Sequence, residues 1–223
     1  MRRYIEACQD HATTREIASV LDQIIPDAGV HARFVNTLAR MEYVGVRKLL
    51  KSRRAERLDL DGLQHMLDEN VHALRLKKAA VALAATVGAD VSTFADDHTL
   101  AGGAGEGYLQ ALDHRAEAAL SDLPADGRTE ANYLLTTAAI EVRAQVFYPL
   151  YDQRLAAHRV GFSVAAISKD EDRHLAEMVA GLETTFGDWR ARFDPLMAAE
   201  QRLFDAFWAQ LRDVAARARA RAA

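Results

Sequence analysis

Residues 164–182 read VAAISKDEDRHLAEMVAGL, and apolar side chains recur along them every three or four positions. That period is typical of an α-helix with one buried face. Two ionisable residues, Glu171 and His174, interrupt an apolar stripe that is otherwise formed by Val164, Ile167, Met178 and Leu182. The stretch therefore predicts a buried helix that carries a carboxylate and an imidazole toward the interior, one turn apart.

The same helical period extends through most of the chain, and proline and glycine mark where it stops. We predict helices at about 14–25, 30–54, 59–87, 106–123, 129–158 and 164–186, and a last one that begins after Gly187 or at Asp194. Asp59 or Asp61 is the expected N-cap of the third helix, and Pro149 is expected to kink the fifth.

The connection at residues 88–105 is long for a compact domain, which indicates a crossover or a functional lid. Four long helices with one such connection, flanked by additional helices, predict an all-α four-helix bundle. No segment resembles a linker between domains, so we expect a single domain over residues 1–223.

Composition limits the classes of protein to which the chain can belong. Of its 223 residues, 50% are hydrophobic and 27% are charged, which excludes disorder. A single cysteine, Cys8, excludes a disulfide framework and a cysteine-rich metal site. The net charge of −4 predicts no binding to nucleic acid. The N-terminus has no apolar run and no stretch is long enough to cross a bilayer, so we expect a cytoplasmic protein without a membrane partner.

Each of the four long predicted helices places one glutamate near its midpoint on the face that should be buried, and in two of them a histidine follows three residues later. Residues at this spacing share one face of a helix. The chain thus repeats a pattern in which a helix with an inward glutamate precedes a helix with Glu-x-x-His. The six candidate residues are Glu42, Glu69, His72, Glu141, Glu171 and His174.

Four buried carboxylates require compensating positive charge, because a buried carboxylate without a partner costs several kcal/mol. Two divalent cations would cancel the four charges, and two imidazoles would complete the coordination. Oxygen-rich ligands with one nitrogen per ion favour iron or manganese over zinc or copper. We expect two iron ions (Fe2+/Fe3+), with manganese or a mixed manganese–iron pair as the alternative. In the favoured pairing one ion is held by Glu42 and His72, the other by Glu141 and His174, with Glu69 and Glu171 bridging; other pairings stay open.

A purely structural interpretation competes with the metal site. In it the glutamates are partly exposed or form ion pairs with arginines on the same helices, namely Arg40, Arg143 and Arg173.

The glutamates and histidines resemble the ligands of the ferritin-like di-iron carboxylate superfamily, from the second predicted helix to the sixth. The run DEDRH at residues 170–174 resembles the Asp-Glu-x-Arg-His signature of bacterial multicomponent monooxygenases, and DENVH at residues 68–72 keeps it except for Val71. The size of the chain is more similar to aldehyde-deformylating oxygenases and arylamine N-oxygenases. The resemblance implies that Asp68 and Asp170 hydrogen-bond the histidine ligands and fix their rings.

The resemblance also implies an enzyme, a non-haem di-iron oxygenase or oxidase that activates O2. Such an oxidoreductase would hydroxylate, N-oxygenate, desaturate or cleave a small organic substrate, with electrons from a ferredoxin, a reductase or the substrate itself. Two alternatives stay open: a ferroxidase or iron-storage protein, and a di-manganese or di-iron enzyme that consumes peroxide. The long interval between Glu69 and Glu141 favours the oxygenase. The sequence leaves open whether the chain forms a homodimer.

Other residues near the predicted site are assigned to packing or to the surface. We expect His65 in the core or at its edge rather than among the ligands, and Glu200 in solvent rather than as an extra ligand. Tyr148 is expected to pack above the kink, and Tyr43 to point away from the site. Small or apolar neighbours are candidates for a substrate pocket or for plain core packing: Leu38, Met41, Gly45, Thr137, Ala138, Ile167 and Met178.

Overall fold

The structure, a computed structural model, describes residues 1–52, 56 and 58–222. These residues form helices and no strand, which confirms the predicted all-α class. The predicted end of the second helix at Arg54 lies outside the described residues. The helices are α1 (Arg2–Gln9), α2 (Ala12–Ile24), α3 (Ala28–Ser52), α4 (Leu60–Ala85), α5 (Ala104–Ala118), α6 (Ala125–Ala157), α7 (Ala165–Thr185) and α8 (Arg190–Ala222).

α3 and α4 pack along each other as an antiparallel pair. Near one end, Lys77 donates a hydrogen bond to the Asn36 side chain at 2.7 Å, and toward the other end Gly45 lies against Glu69. α4 begins at the predicted N-cap, because the carboxylate of Asp59 accepts a hydrogen bond from the backbone N–H of Gly62 at 2.9 Å.

α6 and α7 form a second antiparallel pair. The side chain of Leu134 lies against Gly181, and near the other end Asp152 accepts a hydrogen bond from the backbone N–H of Val164 at 2.8 Å. The two pairs meet where α3 contacts α6 and α4 contacts α7. The four helices therefore surround one interior, into which each directs its buried face. The helix α6 continues through Pro149 rather than ending there.

The long connection after α4 is fixed against α3. The buried side-chain amide of Asn36 donates hydrogen bonds to the carbonyl oxygens of Thr93 and His98, both at 2.8 Å. The backbone N–H of Leu100 donates to the hydroxyl of Thr37 at 2.9 Å. These bonds hold the crossover on the surface of the first helix pair and deliver the chain to α5.

α8 packs against α5, α2 and α6, and this packing corrects one expectation about Glu200. Glu200 is fully buried rather than solvated. It accepts two hydrogen bonds from the guanidinium of Arg143, both at 2.8 Å, and a third from the hydroxyl of Tyr108, also at 2.8 Å. Glu200 is therefore the acidic half of an ion pair that joins α6 to α8.

Two helix starts differ from the predictions. The helix α1 was not predicted; Tyr4 and Cys8 anchor it, and the ring of Tyr4 packs edge-on to Phe193 with 4.9 Å between centroids. The helix α6 begins at Ala125 because Pro124 serves as its N-cap. The helix α8 begins at Arg190, which agrees with the first of its two predicted starts, after Gly187. Among the described residues, no helix has both the length and the apolar composition that crossing a membrane requires.

Candidate metal centre

Two groups of ligand-type side chains meet in the interior between the four helices. Within each group, one potential ligand atom per residue lies within 4.8 Å of all the others. The first cluster consists of His65, Glu69, Glu141 and His174, and the second cluster consists of Glu42, Glu69, His72 and Glu171. The structure thus brings together all six residues that the sequence predicts as ligands, and it adds His65.

In the first cluster, two imidazoles face the same pair of carboxylates. Nε2 of His65 is 3.4 Å from Oε1 of Glu69 and 3.8 Å from Oε1 of Glu141. Nδ1 of His174 is 3.7 Å and 3.8 Å from these two oxygens. The imidazole rings stack with 3.8 Å between centroids, so α4 and α7 are in direct contact here. Two nitrogens and two carboxylate oxygens form a donor set that iron and manganese accept.

In the second cluster, one imidazole faces two carboxylates. Nδ1 of His72 is 3.4 Å from Oε1 of Glu171 and 3.7 Å from Oε2 of Glu42. This nitrogen is fully buried and has no hydrogen-bond partner among the described residues. A buried polar atom without a partner is uncommon in folded proteins, and here it is aimed at a group of carboxylates.

Two carboxylates lie between the clusters. Glu69 belongs to both of them. Glu171 faces His72 with Oε1, and its Oε2 is 2.8 Å from Nδ1 of His174. Glu42 and Glu141 each belong to one cluster only. The glutamates of the two Glu-x-x-His motifs are therefore the central carboxylates, and those of α3 and α6 are the outer ones.

The aspartate that precedes each motif glutamate contacts the histidine of the other motif. Oδ2 of Asp170 is 3.1 Å from Nε2 of His72, and Oδ2 of Asp68 is 3.4 Å from Nε2 of His174. Because a carboxylate can only accept, the Nε2–H donates to it, and Nδ1 is the ring nitrogen that faces the clusters. Each of these two aspartate–histidine contacts crosses between α4 and α7.

The two halves of this arrangement differ at one position. Arg173 donates hydrogen bonds to Asp68 and, at 2.8 Å, to Glu177. The corresponding position in the first motif is Val71, whose side chain cannot donate to Asp170. The carboxylate of Asp170 is also more exposed to solvent than that of Asp68, at 33% against 13%. The hydrogen-bond network is therefore complete only around His174.

The structural interpretation of the glutamates is not supported by the positions of the arginines. Each arginine that was a candidate partner binds a carboxylate outside the two clusters: Arg40 binds Glu106, Arg143 binds Glu200 and Arg173 binds Asp68. The outer and central glutamates are nearly or fully buried, with at most 9% exposure. The negative charge of these glutamates is therefore compensated by the histidines and by any cation that the clusters hold.

The pKa values of the cluster residues reflect this crowding. Burial first, and then the nearby carboxylates of Glu42 and Glu171, raise the pKa of Glu69 well above its usual range. Burial and the carboxylates of Glu171 and Glu69 do the same to the pKa of Glu141. Burial alone would lower the pKa of His72, but the facing carboxylates of Glu171 and Glu42 raise it to about 11. The site without metal therefore retains protons that a bound cation would displace.

Two residues that were expected only to pack in the protein also contact the clusters. His65 is buried within the first cluster, and its Nδ1 is 3.2 Å from the hydroxyl of Tyr133, which orients Nε2 toward the carboxylates. Burial and then the charge of His174 lower the pKa of His65 to about 3, so this ring is neutral. Tyr148 does more than pack, because its hydroxyl donates a hydrogen bond to Glu42. Tyr43 points outward, as predicted.

A signal for His65 was present in the sequence, since it lies four residues before Glu69 on the face that also carries His72. No local pattern distinguishes Tyr148 from the other aromatic residues of α6, because its partner belongs to α3.

A cavity of about 690 Å³ adjoins the clusters. Its wall includes all four central and outer glutamates, and most of the remaining lining is apolar. Large buried aromatic side chains form part of the wall, among them Phe34, Phe147, Phe207 and Trp208. Of the candidate pocket residues, Leu38, Met41, Gly45 and Thr137 line the cavity, whereas Ala138, Ile167 and Met178 are buried in the core.

The donor sets, the unpartnered nitrogen of His72 and the pairing of Arg40, Arg143 and Arg173 with other carboxylates fit two divalent cations, one per cluster. Comparison with known proteins adds no assignment. No protein-family model matches the chain, and no curated protein and no solved structure matches it either.

Proposed function

We propose that this chain is a di-metal oxidoreductase of the ferritin-like class, a non-haem di-iron oxygenase or oxidase that acts on a small organic substrate. The observation that carries the proposal is that the two clusters share Glu69 and that Glu171 faces a histidine of each cluster. A carboxylate that belongs to two groups of ligands is in the position from which it can bridge two ions.

Charge supports a pair of divalent cations. Four glutamates contribute four negative charges when ionised, and two divalent ions cancel them. The first cluster offers two histidine nitrogens with two carboxylates, the second offers one histidine nitrogen with three carboxylates, and both donor sets suit iron and manganese. In this proposal His65, Glu141 and His174 hold one ion, Glu42 and His72 hold the other, and the central carboxylates contact both.

The protein residues have three tasks in such a reaction. Bound iron would supply the electrons and the open coordination positions that O2 requires. Asp68 and Asp170 hold the imidazoles in one orientation across α4 and α7. Tyr148 donates a hydrogen bond to an outer carboxylate and so restrains the Glu42 side chain. The apolar cavity wall keeps water away from the reacting atoms.

The cavity favours chemistry on an organic molecule over the handling of iron. A path for ions requires polar or charged walls, whereas the lining of this cavity is predominantly apolar and includes several aromatic rings. Its volume lies within the range of pockets that bind small organic ligands. We therefore propose a substrate with an apolar body that contacts the aromatic side chains of the wall, with its reactive position beside the glutamates that line the same cavity.

Metal content tests the first part of the proposal. The protein is loaded anaerobically with Fe2+, desalted, and assayed for iron per chain; a second sample is loaded with Mn2+. We expect two ions per chain for the native protein and a loss of most of the metal in Glu171→Ala. The matched control is Glu183→Ala, which removes an exposed carboxylate from the same helix and should bind as the native protein does.

Product analysis tests the second part. The iron-loaded protein is supplied with an electron donor, a panel of apolar compounds and 18O2, and products are examined by mass spectrometry. Incorporation of 18O, or removal of two hydrogens, that depends on Glu171 supports an oxygenase or oxidase. Iron accumulation far above two ions per chain would instead indicate storage, and rapid loss of hydrogen peroxide would indicate a peroxide-consuming enzyme. No metal-dependent difference between native protein and Glu171→Ala would refute the proposal.

A further inference from the structure

The outer face of α4 carries a row of exposed apolar side chains. Leu60, Leu67, Leu74 and Val81 recur at intervals of seven residues, and Leu63 lies between the first two. Their exposures are 78%, 56%, 53%, 49% and 51%, in that order. Of the eight large hydrophobic side chains that the described part of the chain leaves exposed, these five lie on this one helix. We call these five residues the α4 stripe.

The stripe is separate from the candidate metal centre. The inward face of α4 carries His65, Glu69 and His72, all buried. The stripe residues lie on the opposite side of the helix and are about half exposed or more. An exposed stripe with a seven-residue repeat is the pattern by which one helix packs against another helix, because two helices that coil around each other meet every three and a half residues. A continuous exposed apolar patch marks an interaction site.

The charges beside the stripe indicate which helix covers it. Asp61 is exposed at the N-terminal end of α4, and Arg75 and Lys78 are exposed in its C-terminal half. Two copies of α4 in antiparallel orientation bring the acidic end of each copy beside the basic half of the other. A parallel arrangement would instead place like charges together, which is unfavourable. The face is thus complementary to itself, as a two-fold symmetric interface requires.

We propose that the α4 stripe is the interface of a homodimer in which two copies of α4 pack antiparallel across a two-fold axis. The axis passes near the middle of the stripe, between Asn70 and Val71, and this places Leu67 of one copy opposite Leu74 of the other. The same symmetry places Leu60 opposite Val81. This proposal does not depend on the metal, and it does not depend on the proposed activity.

Molar mass in solution provides the first test. Light scattering coupled to gel filtration is expected to give twice the 24.6 kDa mass of one chain. The double variant Leu67→Glu/Leu74→Glu should give the mass of a single chain, with an unchanged helical circular dichroism spectrum. The matched control is Val87→Glu, because Val87 is 55% exposed but lies beyond the end of α4 at Ala85 and does not extend the stripe. A native protein that is a monomer, or a dimer that the double variant leaves intact, would overturn the proposal.

Cross-linking tests the orientation. A mixture of Leu67→Cys and Leu74→Cys proteins, each also carrying Cys8→Ala, should form disulfides between the two variants under mild oxidation. Leu67→Cys alone should cross-link poorly, because the two cysteines would be offset by about 10 Å along the helices, beyond the roughly 7 Å that a disulfide spans. Efficient cross-linking of Leu67→Cys with itself would show that the helices run parallel.

Charge reversal gives an independent readout. Asp61→Lys should weaken the dimer roughly fivefold, as expected for exposed charge pairs. Adding Lys78→Asp to the same chain should restore the native dissociation constant in the antiparallel arrangement. Failure of the second substitution to restore dimerisation would contradict the proposed pairing of charges.

Discussion

At the scale of single residues, a small substitution at Gly45 is expected to lower metal affinity without lowering the stability of the fold. A Cβ atom at this position would lie 2.4 Å from Oε2 of Glu69, so that carboxylate would have to move. We expect Gly45→Ala to leave the metal-free protein as stable as the native one or more stable by about 0.5–1 kcal/mol, since alanine favours a helix interior. Metal affinity should fall at least tenfold, because Glu69 belongs to both clusters.

Calorimetric titration with Mn2+ and thermal unfolding of the metal-free protein measure the two effects separately. Gly107→Ala is the control, because a Cβ atom at that position meets nothing within 4 Å. Unchanged metal affinity in Gly45→Ala would show that Glu69 is not a ligand.

His31 is expected to make stability depend on pH. It is fully buried, and its Nε2 is 2.7 Å from the hydroxyl of Tyr151. Burial first, and then the charge of His158, lower the pKa of His31 from 6.5 to about 4. Between these values the unfolded chain binds a proton that the folded protein does not, so stability falls as the pH drops below about 6.5.

Urea unfolding at pH 7 and pH 5 measures this dependence in native protein and in His31→Gln, which keeps a partner for Tyr151. We expect the native protein to lose about 2 kcal/mol more than the variant over this interval. Parallel losses in the two proteins would show that His31 is not the group responsible.

Single residues also show where sequence reasoning stops. The glutamates and histidines of the clusters could be predicted, because a charged residue in an apolar stripe is visible in one helix. The burial of Glu200 and the hydrogen bond from Tyr148 to Glu42 could not, since each depends on a partner more than fifty residues away. His65 is an intermediate case. Its position on the buried face of the helix could be predicted, but the sequence does not distinguish a ligand from a histidine that only packs in the core.

At the scale of helices, the ion pair between Arg143 and Glu200 is expected to determine how α8 joins α6. Removing one charge from a buried pair leaves the other without compensation, which costs about 3–5 kcal/mol. We expect this loss for Glu200→Gln. The double variant Arg143→Met/Glu200→Gln should be more stable than Glu200→Gln, because no buried charge remains and glutamine still accepts the hydrogen bond from Tyr108.

Urea unfolding of the native protein, both single variants and the double variant gives the coupling energy between the two positions. Additive losses would mean that the two side chains contribute independently and that the pair does not act as a unit.

Helices were predicted well where periodicity is long and less well at their ends. The apolar stripes of α3, α4, α6 and α7 extend over five or more turns, so their inward faces were evident. The short α1 was missed because its two inward residues, Tyr4 and Cys8, are too few to establish a period. Proline was ambiguous as well: Pro124 begins a helix, whereas Pro149 lies within one. A sequence shows that a backbone donor is missing but not whether neighbouring helices compensate for it.

At the scale of the whole molecule, the candidate metal centre joins the two helix pairs. Each cluster combines residues from both pairs: the first combines His65 and Glu69 of α4 with Glu141 and His174, and the second combines α3 and α4 with Glu171 of α7. Contact between the pairs outside the clusters is much less extensive than contact within each pair. A bound cation would therefore act mainly on the association of one pair with the other.

Removal of metal should accordingly weaken the whole fold rather than one helix. We expect the midpoint of thermal unfolding to rise by several degrees when the metal-free protein binds Mn2+ at a hundredfold excess over the dissociation constant, because such binding adds about 2.7 kcal/mol. Chelation should reverse the rise, and Glu171→Ala should show none. Hydrogen exchange should slow on metal binding in α4 and α7 together, since Asp68 and Asp170 connect these helices to each other's histidines. Slowing confined to one helix pair would show that the cations do not bridge the pairs.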